Sequence, residues 1–120
     1  MKKTILIVED EILIGMMLSE NMEDFGYTPL EVATTAEEAL AAVRASPPDA
    51  ILMDISLSGS IDGIEAALLI KQHADIPVIF FTGYQDPQLL QRAGATQPVA
   101  ILDKLGPAEA IEEVLNNLFS

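Results

Sequence analysis

Glu9, Asp10 and Glu11 stand in a row, and Asp54, Thr82 and Lys104 stand alone, yet all six sit at the ends of apolar runs. Ile5-Leu6-Ile7-Val8 precedes Glu9, Ala50-Ile51-Leu52-Met53 precedes Asp54, Ile76 to Phe81 precede Thr82, and Val99 to Leu102 come shortly before Lys104. A solvated face would not place carboxylates there. Clustered carboxylates repel, and keeping all of them ionised needs a cation nearby. Oxygen donors without thiolate or imidazole suit Mg²⁺, which takes one or two carboxylates and keeps several waters. A carboxylate can also be the nucleophile in phosphoryl transfer, giving an aspartyl phosphate. That reaction asks mainly for positioning and charge neutralisation, which Mg²⁺ and a lysine supply, with a threonine hydroxyl donating to a phosphoryl oxygen. Taken singly the signals are weak. A lone acid after a strand is commonly a turn or cap residue, an acidic triplet can serve a helix N-terminus, Thr82 before Gly83 reads as a turn, and Lys104 as an exposed lysine. Their joint occurrence at four strand ends carries the weight.

The elements that would hold these residues follow from the apolar pattern. After the strand Ile5–Val8, Ile12, Met16, Ser19 and Glu23 lie along one line of an amphipathic helix, with Leu13, Met17, Met22 and Phe25 filling its apolar side and Gly26 ending it. A short strand is expected from Pro29 to Ala33. Thr34 and Thr35 precede Glu37 and Glu38 as two overlapping capping boxes, and Pro47-Pro48 stops the helix behind them. The third strand ends at Asp54, and a loop from Ser56 to Gly63 leads into a helix through Ile64, Ala67 and Leu68. The fourth strand spans Ile76 to Phe81. Asp86-Pro87 is a cap followed by a first-turn proline. Val99 to Leu102 form the fifth strand, and Gly106-Pro107 opens a last helix with Ile111, Val114, Leu115 and Leu118 on one face. Five strands alternating with five helices predict a parallel sheet covered on both faces, a doubly wound α/β fold. In such sheets ligands bind outside the carboxyl ends of the strands, where the acids, Thr82 and Lys104 would meet.

Composition sets the outer limits. The chain has 120 residues, half of them hydrophobic, enough for one sizeable core. Its apolar runs fall far short of the ~20 residues that span a bilayer, and the first is too short for a signal-peptide core. A cytoplasmic protein is expected. The absence of cysteine excludes disulfides and thiolate metal sites. A formal charge of −13 repels phosphate backbones and anionic lipid, so direct nucleic-acid or membrane binding is not expected. With no repeat, low-complexity tract or linker, residues 1–120 are read as one domain.

The pieces Ile5-Leu6-Ile7-Val8-Glu9-Asp10-Glu11, Ile51-Leu52-Met53-Asp54-Ile55, Asp62-Gly63-Ile64-Glu65-Ala66, Phe81-Thr82-Gly83-Tyr84 and Asp103-Lys104 together resemble the CheY-like receiver domain of two-component response regulators, over essentially the whole chain. The resemblance implies a flavodoxin-like sheet of order 2-1-3-4-5, an order known for this family and not read from the apolar pattern. It implies Asp54 as phosphoacceptor, Mg²⁺ held by Glu9, Asp10, Asp54 and the backbone carbonyl of Ser56, and phosphoryl oxygens held by Thr82 and Lys104. It implies a histidine kinase or histidine phosphotransfer protein as phosphodonor and a downstream protein target. It also implies no enzymatic turnover beyond the domain's own phosphorylation and slow dephosphorylation, and switching through Thr82, Tyr84 and Ile101. Several positions depart from the family pattern. Glu9 replaces the commoner aspartate, Ser58 a common proline and Ile101 a common aromatic. Leu105 follows the lysine where proline, with a cis bond, is usual. The segment Phe80-Phe81-Thr82-Gly83-Tyr84 is similar to the Phe-Ala-Thr-Gly-Tyr type of single-domain receiver, with Phe81 replacing the alanine.

Rival readings fit less well. A haloacid-dehalogenase-type phosphatase would carry a second acid two residues after Asp54, where Ser56 stands. A flavodoxin-like electron carrier needs a hydroxyl-rich phosphate loop after the first strand, where the acids stand. A degenerate receiver, binding protein independently of phosphorylation, is the alternative within the family. His73 is expected to be exposed and without a role, Phe80 to be core, Phe119 to be terminal packing or an interaction residue, and the methionines to be core filler.

Overall fold

The structure is a computed structural model that describes residues 2–83 and 86–120. Its elements alternate without exception: β1 (Thr4–Val8), α1 (Ile12–Asp24), β2 (Thr28–Pro29), α2 (Ala36–Ala45), β3 (Ala50–Asp54), α3 (Gly63–Lys71), β4 (Val78–Thr82), α4 (Pro87–Ala95), β5 (Ala100–Asp103) and α5 (Ala108–Leu118). The strands form one parallel sheet in the order β2-β1-β3-β4-β5, as expected. β3 lies in the middle and is buried along its whole length, which explains its unbroken apolar run. Successive strand residues point to opposite faces. Leu6, Val8, Ile51, Met53 and Phe80 therefore pack with α2, α3 and Ala93 of α4 on one side. Ile5, Ile7, Leu52, Ile79 and Phe81 pack with α1 and α5 on the other.

Several boundaries shift for physical reasons. The second strand is only Thr28–Pro29, with an isolated bridge from Val8 to Ala33 continuing the edge, rather than a full strand from Pro29 to Ala33. β4 begins at Val78, after Pro77, which has no N–H to donate to the ladder. The helix starts are as read, with two adjustments. Thr35 is the N-cap of α2, its hydroxyl accepting the Glu38 N–H at 3.1 Å, while Glu38 reaches back to the N–H of Thr34. The second box does not form, since Glu37 instead accepts from the Ser60 hydroxyl. Pro107 is the N-cap of α5 rather than its first turn. Among the described residues no peptide bond is cis, so Lys104-Leu105 is trans.

The packing of α1 corrects the sequence reading. Gly15, Leu18 and Met22 face the sheet, whereas Leu13 and Met17 are 80% and 52% exposed, as are Ile12 and Met16 at 71% and 56%. The first half of α1 is apolar at nearly every position, so periodicity alone cannot choose a face. Gly15 chooses it: a methyl group there would come within 3.0 Å of Val32, so the missing side chain admits close approach. Met22 and Met53 are core, but Met16 and Met17 are surface residues. Phe80 is fully buried, Phe119 packs against Tyr27 with the rings tilted by 48° and their centroids 6.0 Å apart, and His73 is exposed beside Arg44.

Gly63 begins α3 directly against β3. Its N–H donates to the Ile55 carbonyl at 2.8 Å. A methyl group there would collide with the Asp54 carbonyl oxygen and come within 3.0 Å of the Ile55 Cα. Gly63→Ala should cost about 1–3 kcal/mol, the usual penalty of overpacking against a backbone that cannot move aside, measurable as a lower urea midpoint with unchanged slope.

Candidate functional site

Four of the five strands, β1, β3, β4 and the edge strand β5, each deliver one part of a single rim. Glu9 follows β1, Asp54 ends β3, Thr82 ends β4 and Lys104 follows β5. Parallel register brings these ends level: Val8 pairs with Met53, Asp54 with Phe81, and Thr82 with Asp103. Glu9, Asp54 and Thr82 are buried, Asp10 is half-buried, and the Lys104 side chain is 18% exposed. Oxygens of Glu9, Asp10 and Asp54 lie within 4.8 Å of one another. Lys104 Nζ stands 3.1 Å from Asp54 Oδ2 and 2.9 Å from Glu9 Oε1. The Ser56 N–H donates to Asp54 Oδ1 at 3.0 Å, and the Ser58 N–H donates to Asp10 Oδ2 at 3.1 Å. The Lys104 N–H donates to the Thr82 carbonyl at 2.9 Å, fixing the lysine to β4. Asp10, Glu11, Asp54, Ser56, Gly83 and Lys104 line an open cleft of about 480 Å³ over these groups.

Three carboxylates face one ammonium here, and the electrostatics show the imbalance. Burial, then the neighbouring Asp54, push the Glu9 carboxyl up from 4.5 to about 8, against the opposing pull of Lys104. Lys104 meets the buried Glu9 carboxyl at ion-pair distance on Oε1, and Glu9 Oε2 is buried with no hydrogen-bond partner among the described residues. Burial works against the charge of Lys104, but Glu9 and Asp54 outweigh it and raise its pKa. A buried Glu9 oxygen without a hydrogen-bond partner, beside two further carboxylates and with no thiolate or imidazole in the cluster, belongs to a donor set that fits a hard divalent cation such as Mg²⁺.

The structure thus brings Glu9, Asp10, Asp54, Ser56 and Lys104 together, with Thr82 at the adjacent strand end. Ile101 is half-buried and lies apart, lining with Thr82, Leu90, Leu102 and Asp103 a groove of about 380 Å³ next to α4. Tyr84 lies outside the described residues. Two contributors were not foreseen. Phe81 carries Lys104 Nζ 5.6 Å above its ring, and the Ser58 amide reaches Asp10. The second had a trace in the sequence, since a serine standing for proline restores an N–H.

This fold and rim define a class of protein, and comparison with known proteins agrees. Residues 5–116 match the response regulator receiver domain, and the chain belongs to that family. It is 32% identical over 102 residues to the transcriptional regulatory protein PdtaR of Mycobacterium tuberculosis, covering 85% of this chain and 49% of that protein. It is 33% identical over 121 residues to the phyllosphere-induced regulator PhyR of Methylorubrum extorquens, covering 99% of this chain and 45% of the regulator. The signal receiver domain of a modulated diguanylate cyclase from Desulfovibrio desulfuricans G20 superposes with a TM-score of 0.89 at 34% identity, over 97% of this chain and 92% of that one. The chain spans about a fifth to a half of the length of the curated relatives it matches.

The raised Glu9 pKa has a consequence for metal-free protein. Between about pH 4.5 and 8 the folded state keeps a proton that the unfolded state has released. Stability is therefore greatest below the lower value and is lost as pH rises through the upper one. In chelator, the melting temperature of wild type should fall between pH 5 and pH 8.5 more steeply than that of Glu9→Gln. Parallel pH profiles would show that Glu9 is not the titrating group.

Proposed function

We propose that this receiver accepts a phosphoryl group on Asp54, in a phosphorelay fed by a histidine kinase or histidine phosphotransfer protein, and reports it as an altered protein-binding surface. The observation that carries this reading is the Asp54 carboxylate itself, buried at a strand end and held at one oxygen by Lys104 and at the other by the Ser56 amide, inside the acidic cluster. A carboxylate oxygen of Asp54 forms a bond to phosphorus as the bond to the donor imidazole nitrogen breaks, and the imidazole leaves with its electron pair. The Lys104 ammonium and the Thr82 hydroxyl meet the phosphoryl oxygens. Glu9, Asp10, Asp54 and the Ser56 carbonyl would hold Mg²⁺, whose charge offsets that of the incoming phosphoryl group. The domain turns over no separate substrate.

The surfaces suit two protein contacts. Exposed Ile12, Leu13, Met16 and Met17 stand beside the acidic rim, and an apolar cleft of about 410 Å³ opens between α1 and α5. A concentrated apolar patch of this kind supports docking of the phosphodonor. At the β5 edge of the sheet, α4 buries only Ala93, and this weakly packed helix, β5 and α5 form the proposed output face. No described helix is long and apolar enough to cross a membrane. A cytoplasmic domain comprising residues 1–120, making no direct contact with nucleic acid, completes the reading.

Acetyl phosphate with Mg²⁺ should add one phosphoryl mass to wild type and none to Asp54→Asn. Labelling that persists in the variant defeats the assignment of the acceptor, and a wild type that takes no label leaves a receiver that binds its partner without phosphorylation. Mg²⁺ at a hundredfold excess over its dissociation constant should stabilise the protein by about 2.7 kcal/mol at matched ionic strength.

Beryllofluoride with Mg²⁺, a phosphoryl mimic, should increase hydrogen-exchange protection most from Thr82 through α4. An increase confined to α1 would place the output face on the wrong side of the sheet.

A further inference from the structure

The loop between β3 and α3 gives one backbone donor to each of two acids. Ser56 serves Asp54, at the end of its own strand, and Ser58 serves Asp10, 48 residues earlier in the chain. The second contact is the less expected one. Asp10 lies just beyond β1, half-exposed. Among the described residues, Lys104 pairs with Glu9 and Asp54, and no ion pair reaches Asp10. The amide of Ser58 is thus what ties the Asp10 carboxylate across to β3. The loop can carry that duty because it is itself pinned, by Ser56 on Asp54, by the Gly63 N–H on the Ile55 carbonyl, and by the Ser60 hydroxyl on Glu37.

We propose that Ser58 is a positioning residue for the divalent cation, acting through its backbone N–H: it holds Asp10 where its oxygen joins those of Glu9 and Asp54. The proposal rests on reading that cluster as a Mg²⁺ site. Ser58 is exposed and its hydroxyl takes no part in the Asp10 contact, so the residue's identity matters only in that it is not proline. Proline alone among the residues has no amide hydrogen. With the donor gone, the Asp10 side chain gains rotamers, and one carboxylate of a mutually repelling set loses its compensating dipole. A cation must then restore that order from its own binding free energy, so it binds more weakly. Chemistry at a filled site is untouched.

The test is calorimetric titration with Mg²⁺ of wild type, Ser58→Ala, Ser58→Pro and a semisynthetic protein with an ester in place of the Leu57–Ser58 amide. The ester deletes the N–H without restricting the backbone. Ser58→Ala should bind as wild type does. Ser58→Pro and the ester should raise the dissociation constant roughly three- to tenfold, the effect of losing a partly solvated hydrogen bond to a charged group. Labelling by acetyl phosphate should show the same split, slower at limiting Mg²⁺ and equal to wild type at saturating Mg²⁺. Wild-type affinity in the ester overturns the role of the amide. An equal loss in Ser58→Ala overturns it in favour of the hydroxyl. A wild type that binds no Mg²⁺ overturns the metal reading and this inference with it.

Discussion

Lys104 places one ammonium between two buried carboxylates, 2.9 Å from Glu9 and 3.1 Å from Asp54. A buried ion pair of this kind seldom adds much net stability, because desolvation of both partners offsets the attraction. Removing one partner is another matter, since it strands an uncompensated charge in a low-dielectric interior. The rim is therefore held in tension: three acids and one cation, with the most deeply buried acid pushed towards its neutral form. Three acids against one lysine leave the rim with an unmet need for positive charge. The rest of the fold exists in the form it does because it must deliver these four strand ends to the same spot.

Parallel register does most of that delivery. A parallel sheet buried on both faces tolerates no polar group along its strands, so the acids can appear only where the strands run out. β3 is the extreme case, buried from Ala50 to Asp54, and its last residue is the candidate acceptor. The return connection is equally constrained. Asp62 caps α3 by accepting the Glu65 N–H at 2.9 Å, and Gly63 then passes so close to the Asp54 carbonyl that no side chain fits. The Asp-Gly step thus sets how the loop over the site is closed, and with it the amides of Ser56 and Ser58.

Much of this was legible in the sequence, because the signals were of the kind that local pattern records. The runs Ile5–Val8 and Ala50–Met53 announce buried strands, Asp86-Pro87 and Thr35-x-x-Glu38 announce helix starts, and acids at the ends of apolar runs announce the rim. What was not legible depends on tertiary choice. Leu13 and Met17 belong by composition to a core, and only the contact of Gly15 with Val32 shows that α1 turns them outward. The edge strand β2 is two residues long, and the ladder beyond it continues only as the single bridge between Val8 and Ala33. The Ser58–Asp10 bond joins two loops whose spacing no periodicity encodes.

The same contrast between firm and loose packing bears on how a charge added at Asp54 could be felt elsewhere. The inner strands and α3 are deeply buried, whereas α4 contributes little to the core beyond Ala93 and half-buried Leu89. It is tied to α3 by an ion pair between Arg92 and Asp62 at 3.3 Å and by Lys71 Nζ on the Thr96 carbonyl at 3.4 Å. Exposed contacts of this kind contribute about 0–1 kcal/mol each. α4 also buries fewer residues than any other helix, Ala93 alone. One end of that weak link is Asp62, which caps α3 and closes the loop whose amides hold Asp54 and Asp10. A rearrangement of the loop that shifted Asp62 would act on α4 through its most easily broken contact. The helix that buries least thus lies one ion pair away from the loop whose amides hold Asp54 and Asp10.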